Sequence, residues 1–265
     1  MNQPLAYIHP DAKIGKNVTI EPFSVIYEDV EIGDDCWIGP NVTIFPGARI
    51  GKNNKIFPNA SISAVPQDLK FAGEKTTVEI GDNNTIRESV TINRGTSALG
   101  YTKIGNNNLI MAYAHIAHDC IVGNNCVLAN NATLGGHIEI GNYAIIGGMS
   151  AIHQFTKIGS HVILMGGSLV DKDVPPFVKG GKFPLSYCGI NSIGLARRGY
   201  DQETINKIKD YYRVVFQSGL NYSKALEELK TLPETPALKE IIDFISKAER
   251  GLMKGFTSIT KKEEE

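Results

Sequence analysis

Along the chain, every sixth residue from Ile8 to Val170 falls in one register, and 25 of those 28 positions are Ile, Leu or Val. The first ten, Ile8 through Ile62, are all isoleucine. The exceptions are Asp68, Glu74 and Ala98, which mark excursions from the repeat. A period of six fits neither the 3.6 of an α-helix nor the simple alternation of a sheet; it is the period of a parallel β-helix built from hexapeptides. Two places before each aliphatic the residue is small or compact, as at Ala12, Ser24, Cys36, Ala48, Ala114, Cys120, Cys126 and Ala144. Each hexad supplies one side of a triangular coil, so three hexads return the chain to the same face. The large aliphatic then fills the interior, with the small residue beside it near the corner. Gly often follows the aliphatic (Gly15, Gly33, Gly51, Gly81, Gly105, Gly123), with Asn or Asp two places on. Both types suit the unusual dihedrals that repeated tight corners demand. The spacing does not fix the hand of the coil.

The register stops near Pro175-Pro176, where Gly180, Gly181 and Pro184 predict a linker. The period then changes. Asp201 is expected to cap a helix with Ile205, Ile208, Tyr212, Val215 and Phe216 on its apolar face. Ser223 is expected to cap a short helix carrying Ala225, Leu226 and Leu229. Thr235 followed by Pro236 predicts a third, with Leu238, Ile241, Ile242 and Ile245 buried and Gly251 at its end. This gives a prism over 1–190 with loops at 63–79 and 96–102, and a C-terminal helical domain over 191–265. That domain is expected to pack over 191–256 and to end in a frayed charged tail, Lys261 to Glu265.

Composition acts here by exclusion. The net charge is −1, with 13 basic and 12 acidic residues after Asn191, so no polybasic nucleic-acid surface is expected. No apolar run approaches the roughly 20 residues of a membrane span, and the N-terminus lacks the pattern of a signal peptide. The expected compartment is the cytoplasm. Cys36, Cys120 and Cys126 occupy the small interior position, which packing explains better than disulfides or metal. Cys188 has no assignment.

Candidate chemistry sits where the repeat is disturbed. Loops projecting from a regular prism are places where such a fold can build a site. His115, His118, His137 and His153 all fall within a stretch of little more than two coils. With three hexads to a coil, His118 stacks under Gly136 and Gly136 under Gln154, so the histidines gather along one strip. Two chemistries can use it. In the first, His118 is a general base oriented by Asp119 or a carbonyl, and the Gly136 N–H stabilises the oxyanion of an attacked thioester. In the second, histidines of neighbouring coils hold zinc, although no ligand spacing is clean.

Several blocks carry a resemblance over nearly the whole chain. They are Ala114-His115-Ile116-Ala117-His118-Asp119-Cys120, Leu128 to Leu134, Ile146-Gly147-Gly148-Met149 leading to His153-Gln154-Phe155, Gln67-Asp68-Leu69-Lys70 with Ala72-Gly73-Glu74, Arg87 to Ile92, and Arg197-Arg198-Gly199. Together they resemble the UDP-N-acetylglucosamine O-acyltransferases, a family of hexapeptide-repeat acyltransferases. The resemblance implies a left-handed all-β prism followed by a small helical domain. It implies transfer of an (R)-3-hydroxyacyl chain from acyl carrier protein to the 3-hydroxyl of UDP-N-acetylglucosamine, the first step of lipid A synthesis. His118 is then the base and Gly136 the oxyanion donor. Asp68 and Lys70 contact substrate, with Gln67, His115, His137, His153 and Gln154 lining the cleft. Asn191, Arg197 and Arg198 hold the nucleotide end, paired guanidinium groups suiting a diphosphate. Gly166 matches an acyl-chain ruler and leaves the groove open for a long chain, which Met165 can trim. The family also implies a homotrimer with the site between subunits, so that one subunit can offer Lys70 to a neighbour's His118. It implies no metal or other cofactor and no membrane insertion.

One position departs from the family pattern: Ile193 stands where an acidic residue contacts the nucleotide. The enzyme rivals are an N-acyltransferase of the same pathway and an acetyl-coenzyme A-dependent acetyltransferase. The first normally carries an extra N-terminal domain, whereas here repeats begin at Ile8; the second has no need of the Gln67–Lys70 loop. A purely structural β-helix, with regular Thr ranks on one face, and a metal-dependent hydratase are the remaining alternatives.

Overall fold

The structure, a computed structural model, describes residues 5–255. Phe256 and the expected tail from Lys261 to Glu265 lie outside the described residues. Three sheets of nine, eight and ten strands form the faces of a triangular prism, most strands being only two residues long. Pairing is parallel, and successive coils meet three hexads apart, as in Tyr7↔Val25, Lys13↔Glu31 and Thr19↔Trp37. The register isoleucines point inward, and Ile20, Ile26, Ile38, Ile44 and Ile116 are wholly buried. Removing them from water at about 25 cal/mol per Å² drives the winding.

The corners divide their work between two residue types. Asn17, Asp35, Asn53, Asn83 and Asn107 take the left-handed conformation, with φ between 55° and 59°. Gly15 and Gly33 do not. A Cβ on either would lie 2.7 Å from the backbone of the next coil. The expectation that glycine serves the corner dihedral is therefore corrected: Asn and Asp supply the bend, and glycine permits coils to stack closely. Inside, the small position also pairs polar groups. Cys36, Cys120 and Cys126 donate Sγ–H to the carbonyls of Gly51, Gly135 and Gly141 at 3.1–3.2 Å, as Ser24 Oγ does to Gly39.

Across the excursions the pairing distance changes. Ser61 pairs with Thr91 and Thr91 with His115, separations of five hexads and then four in place of three. The first excursion thus adds two whole hexads and the second adds one. This is why the aliphatic register resumes in phase beyond each of them.

The faces differ in chemistry. The eight-stranded sheet turns outward an alternating ladder, Lys13, Glu31, Arg49, Glu79 and Lys103, with ion pairs such as Lys13–Glu31 at 2.8 Å and Lys103–Glu79 at 3.5 Å. The nine-stranded sheet presents Tyr7, Val25, Thr43, Ser61, Thr91, His115, Thr133, Ala151 and Leu169, almost without charge.

The predicted Gly/Pro linker is a hairpin. Val178–Gly181 pairs in parallel with Ile163–Leu164 and antiparallel with Ser186–Ile190, continuing the ten-stranded sheet. A Cβ at Gly180 would meet Leu164 at 2.9 Å and Met253 at 3.1 Å, so the glycine there serves close packing. Four helices follow: α1 Ser192–Arg197, α2 Gln202–Gln217, α3 Tyr222–Lys230 and α4 Pro236–Ser246. Asp201 and Thr235 cap α2 and α4 as predicted. The cap of α3 is Asn221, which accepts from the Lys224 N–H, rather than Ser223. Asn is as good an N-cap as Ser, and here the helix begins earlier than expected. Gly251 lies beyond the end of α4, with φ 71°. The helices seat on the prism through Tyr212, whose hydroxyl donates to the Pro176 carbonyl. The buried Asp173 accepts from the N–H groups of Lys157 and Arg250, pinning the returning chain. Among the described residues, no helix is long and apolar enough to cross a membrane.

Candidate active site

His118 and Asp119 form the corner between His115–Ile116 of the nine-stranded sheet and Ile121–Val122 of the eight-stranded sheet. One coil on, the same corner holds Gly136-His137, and the next holds Gln154-Phe155, with His137 N donating to His118 O and Phe155 N to Gly136 O. The three-hexad coil thus stacks what the sequence predicted it would.

His118 Nδ1 lies 2.8 Å from Asp119 Oδ2. An ionised carboxylate only accepts, so Nδ1 carries the proton and Nε2 keeps its lone pair for a substrate. The Asp119 side chain is wholly buried, and its carboxylate takes three further hydrogen bonds. Thr96 N and Leu99 N donate to Oδ1 at 3.0 and 3.2 Å, and Thr96 Oγ1 to Oδ2 at 2.7 Å. Burial pushes this carboxyl up, but the hydrogen bonds from His118 and Thr96 outweigh it and hold the group below the ordinary carboxylate range. On the other side, Asp68 Oδ2 stands 3.9 Å from His118 Nε2. The loop bearing Asp68 therefore reaches its own chain's His118. Gln67 and Lys70 on that loop are exposed.

A Cβ on Gly136 would fall 2.6 Å from His118 Cε1, so glycine is what lets the imidazole lie there. The Gly136 N–H has no acceptor among the described residues. His137 packs edge-on to His118 at 5.2 Å and stacks on Phe155 at 4.5 Å, with Nε2 3.7 Å from Asp119 Oδ2. Burial lowers its pKa, partly offset by Asp119. His115, on the adjoining face, has Nδ1 2.7 Å from Thr91 Oγ1, and burial lowers its pKa as well. His153 and Gln154 are exposed at the same corner, His153 Nδ1 lying 3.1 Å from the Gln154 carbonyl.

The other expected site residues stand elsewhere in the chain. Arg198 lies over the ring of Tyr143 at 5.0 Å and donates to Gly194 O, at the corner between the eight- and ten-stranded sheets. Arg197 is exposed beside it. Asn191 is buried, with Oδ1 accepting from Gly194 N and Nδ2 donating to His161 O. The side chain thus caps α1 and ties it to the prism, using one donor and one acceptor of the amide. Met165 and Gly166 lie at the third corner; a Cβ on Gly181 would meet Met165 Sδ, so that thioether lies against the hairpin. One chain brings together His118, Gly136, His137, Asp68, His153 and Gln154, and it does not bring Arg197, Arg198, Met165 or Gly166 to them.

Sequence reasoning missed Thr96, Phe155 and the bridging role of Glu74. Glu74 had a signal, because an acid replaces an aliphatic in the register. Thr96 had only its place at the start of the second interruption. Among the described residues, His118, Asp119 and His137 also form a group able to hold a metal, with ligand atoms within 4.8 Å of one another. In this arrangement the Asp119 carboxylate already accepts four hydrogen bonds, one of them from His118.

Residues 173–253 match the family described as Udp N-acetylglucosamine O-acyltransferase, domain 2, and residues 11–46, 29–64 and 101–136 match bacterial transferase hexapeptide repeats. An acyl-[acyl-carrier-protein]--UDP-N-acetylglucosamine O-acyltransferase of Alkalilimnicola ehrlichii is 49% identical over 253 residues, covering 95% of this chain and 98% of its own length. The chain belongs to the UDP-N-acetylglucosamine O-acyltransferase family. Solved UDP-N-acetylglucosamine acyltransferases agree. That of Bacteroides fragilis is 50% identical with a TM-score of 0.94, covering 96% of this chain and all of its own (100%). That of Francisella novicida is 41% identical with a TM-score of 0.94, covering 96% and 94%. The protein is thus an acyltransferase, and its prism is the left-handed β-helix followed by a small helical domain. In this acyltransferase Ile193, the departure from the family pattern, is exposed on α1.

Proposed function

We propose that this acyltransferase moves an (R)-3-hydroxyacyl chain from acyl carrier protein to the 3-hydroxyl of UDP-N-acetylglucosamine, the first step of lipid A biosynthesis, in the cytoplasm. The observation that carries the mechanism is the His118–Asp119 pair, with Nδ1 engaged by Asp119 and Nε2 on the opposite side of the ring, 3.9 Å from Asp68 Oδ2. His118 Nε2 takes the proton of the sugar hydroxyl, whose oxygen attacks the thioester carbon. The Gly136 N–H, with no acceptor of its own among the described residues, donates to the developing oxyanion. Collapse expels the carrier thiolate, and the imidazolium returns the proton to that sulfur.

In this reading the prism, 1–190, holds the chemistry, and the helical unit, 191–265, holds the nucleotide end through Arg197 and Arg198. Those arginines and the acyl ruler at Gly166 and Met165 occupy other corners than His118, so neighbouring copies complete each site. A closed threefold assembly does this, and the nearly uncharged nine-stranded face is suited to it while the charged ladder faces water. Gln67, Lys70, His115, His137, His153 and Gln154 line the cleft.

The test mixes purified protein with UDP-N-acetylglucosamine and a series of (R)-3-hydroxyacyl carrier proteins, beside His118→Ala and a chelator arm. Chain-selective acylated nucleotide sugar, lost in His118→Ala and indifferent to chelator, is expected. No product with any chain would sink the reading. Chelator-sensitive activity on another substrate would favour a metal held by His118, Asp119 and His137.

A further inference from the structure

Three of the four hydrogen bonds on the buried Asp119 carboxylate come from the second excursion: Thr96 N, Thr96 Oγ1 and Leu99 N. The Thr96 hydroxyl accepts from the Ala98 N–H at 3.2 Å, so its single proton is committed to Asp119. The excursion is pinched at its base, where a Cβ on Gly95 would lie 2.4 Å from the Tyr101 nitrogen. Glu74 ties it to the first excursion by accepting from Ser97 N at 3.0 Å and from Ala72 N at 2.8 Å. The first excursion in turn carries Asp68 to the far side of His118. The two departures from the repeat therefore close a ring around the His118–Asp119 pair.

We propose that Thr96, backed by Glu74, is a positioning residue: the second excursion sets both the orientation of the Asp119 carboxylate and the share of its charge that reaches His118. This rests on the reading of His118 as the base. The titratable groups facing His118 are Asp119, Asp68, His137 and, on the adjoining strand, His115. Thr96 Oγ1–H and His118 Nδ1–H share Asp119 Oδ2. Without the hydroxyl, more of that oxygen's charge falls on His118 at 2.8 Å, with His137 farther off at 3.7 Å. The imidazolium is then favoured, and a carboxylate with one fewer anchor holds the ring less firmly.

The experiment compares Thr96→Val, Thr96→Ser, Glu74→Ala and His118→Ala with the parent enzyme, reading kcat and KM against pH on the acyl carrier protein substrate. A hydrogen bond to a charged group is worth about 1.5–3 kcal/mol, so Thr96→Val is expected to raise the acidic limb of kcat/KM by about one pH unit. Its kcat is expected to fall about tenfold with KM for the nucleotide sugar unchanged. Thr96→Ser, which keeps the hydroxyl, restores both. Glu74→Ala lowers kcat in the same direction. If Thr96→Val does not fold, Thr96→Ala against Thr96→Ser reads the same limb. An unmoved limb, a change in KM alone, or no rescue by serine overturns the proposal. Activity surviving in His118→Ala overturns instead the reading on which it rests, so the two failures are told apart.

Discussion

Gly136→Ala displaces the base directly, by filling the space that its imidazole occupies. Gly136 does not have a positive φ, so alanine fits its backbone, and losing glycine's freedom in the unfolded chain stabilises by about 0.4–1 kcal/mol. The new Cβ would lie 2.6, 2.8 and 3.2 Å from Cε1, Nε2 and Nδ1 of His118. Ordinary carbon contacts are about 3.5–4.0 Å, so the ring must retreat by roughly 1 Å. It is tethered to Asp119 at 2.8 Å, and the retreat strains or breaks that bond. At about 1.5–3 kcal/mol for a charge-assisted hydrogen bond, kcat falls about 10- to 150-fold, consistent with the cost of a roughly 1 Å misplacement. Steady-state kinetics on acyl carrier protein and nucleotide sugar measure this, and thermal unfolding is expected to show Tm lowered by a few degrees, because the strained buried bond outweighs the about 0.4–1 kcal/mol gained in the unfolded chain. A variant folded like the parent with kcat within about twofold of it would show that the imidazole is not held where the argument needs it.

Three further outcomes follow from other parts of the chain. Burial holds His161 at about 4, against an ordinary 6.5; its folded pKa is depressed, so its contribution is present above pH 6.5 and is lost as pH falls toward 4, about 3 kcal/mol in all. Denaturant unfolding at stepped pH should show that slope flattened in His161→Phe. Burial pushes the thiols of Cys120 and Cys126 up to about 12 and about 11, so a maleimide added to native protein is expected to label the half-buried Cys188 first. Mass spectrometry reads the site, and early labelling of Cys120 would contradict the packing. A Cβ at Gly166 would lie 3.2 Å from the Gly148 carbonyl, so Gly166→Met is expected to shift the preferred acyl chain to shorter lengths in a competition assay; an unchanged preference would remove the ruler from this corner.

The prism was legible because one interior residue per hexad must be large and apolar, and nothing in either excursion shifts that phase. The strip from His118 to Gln154 followed from the three-hexad coil alone. What the sequence hid was three-dimensional. Asn191 carries the chemistry of a ligand and also caps α1, and nothing along the chain signals the second role. Arg198 reads as near the site in a series of matching blocks, yet the prism assigns it to another corner. Gly180 and Gly181 signal a linker by composition, although a neighbour leaves no room for a Cβ at either. Thr96 is invisible in advance, since its meaning comes from a carboxylate in the following coil.

A prism made of parallel coils is also a template for its own growth. Its last coil ends in strands whose N–H and C=O groups would accept another chain in the same way as they accept the next turn. Here Val178–Gly181 takes those groups on one face, the strand beyond it runs antiparallel, and Tyr212 anchors helices across the end. Ser186 of the antiparallel strand bridges in parallel to Lys254, so the returning chain occupies the edge that a following coil would need. Cutting the chain before Phe177 would therefore cost more than the helical unit. It would uncover a sticky triangular end, and the expected result is axial polymerisation into fibres rather than a shorter soluble prism.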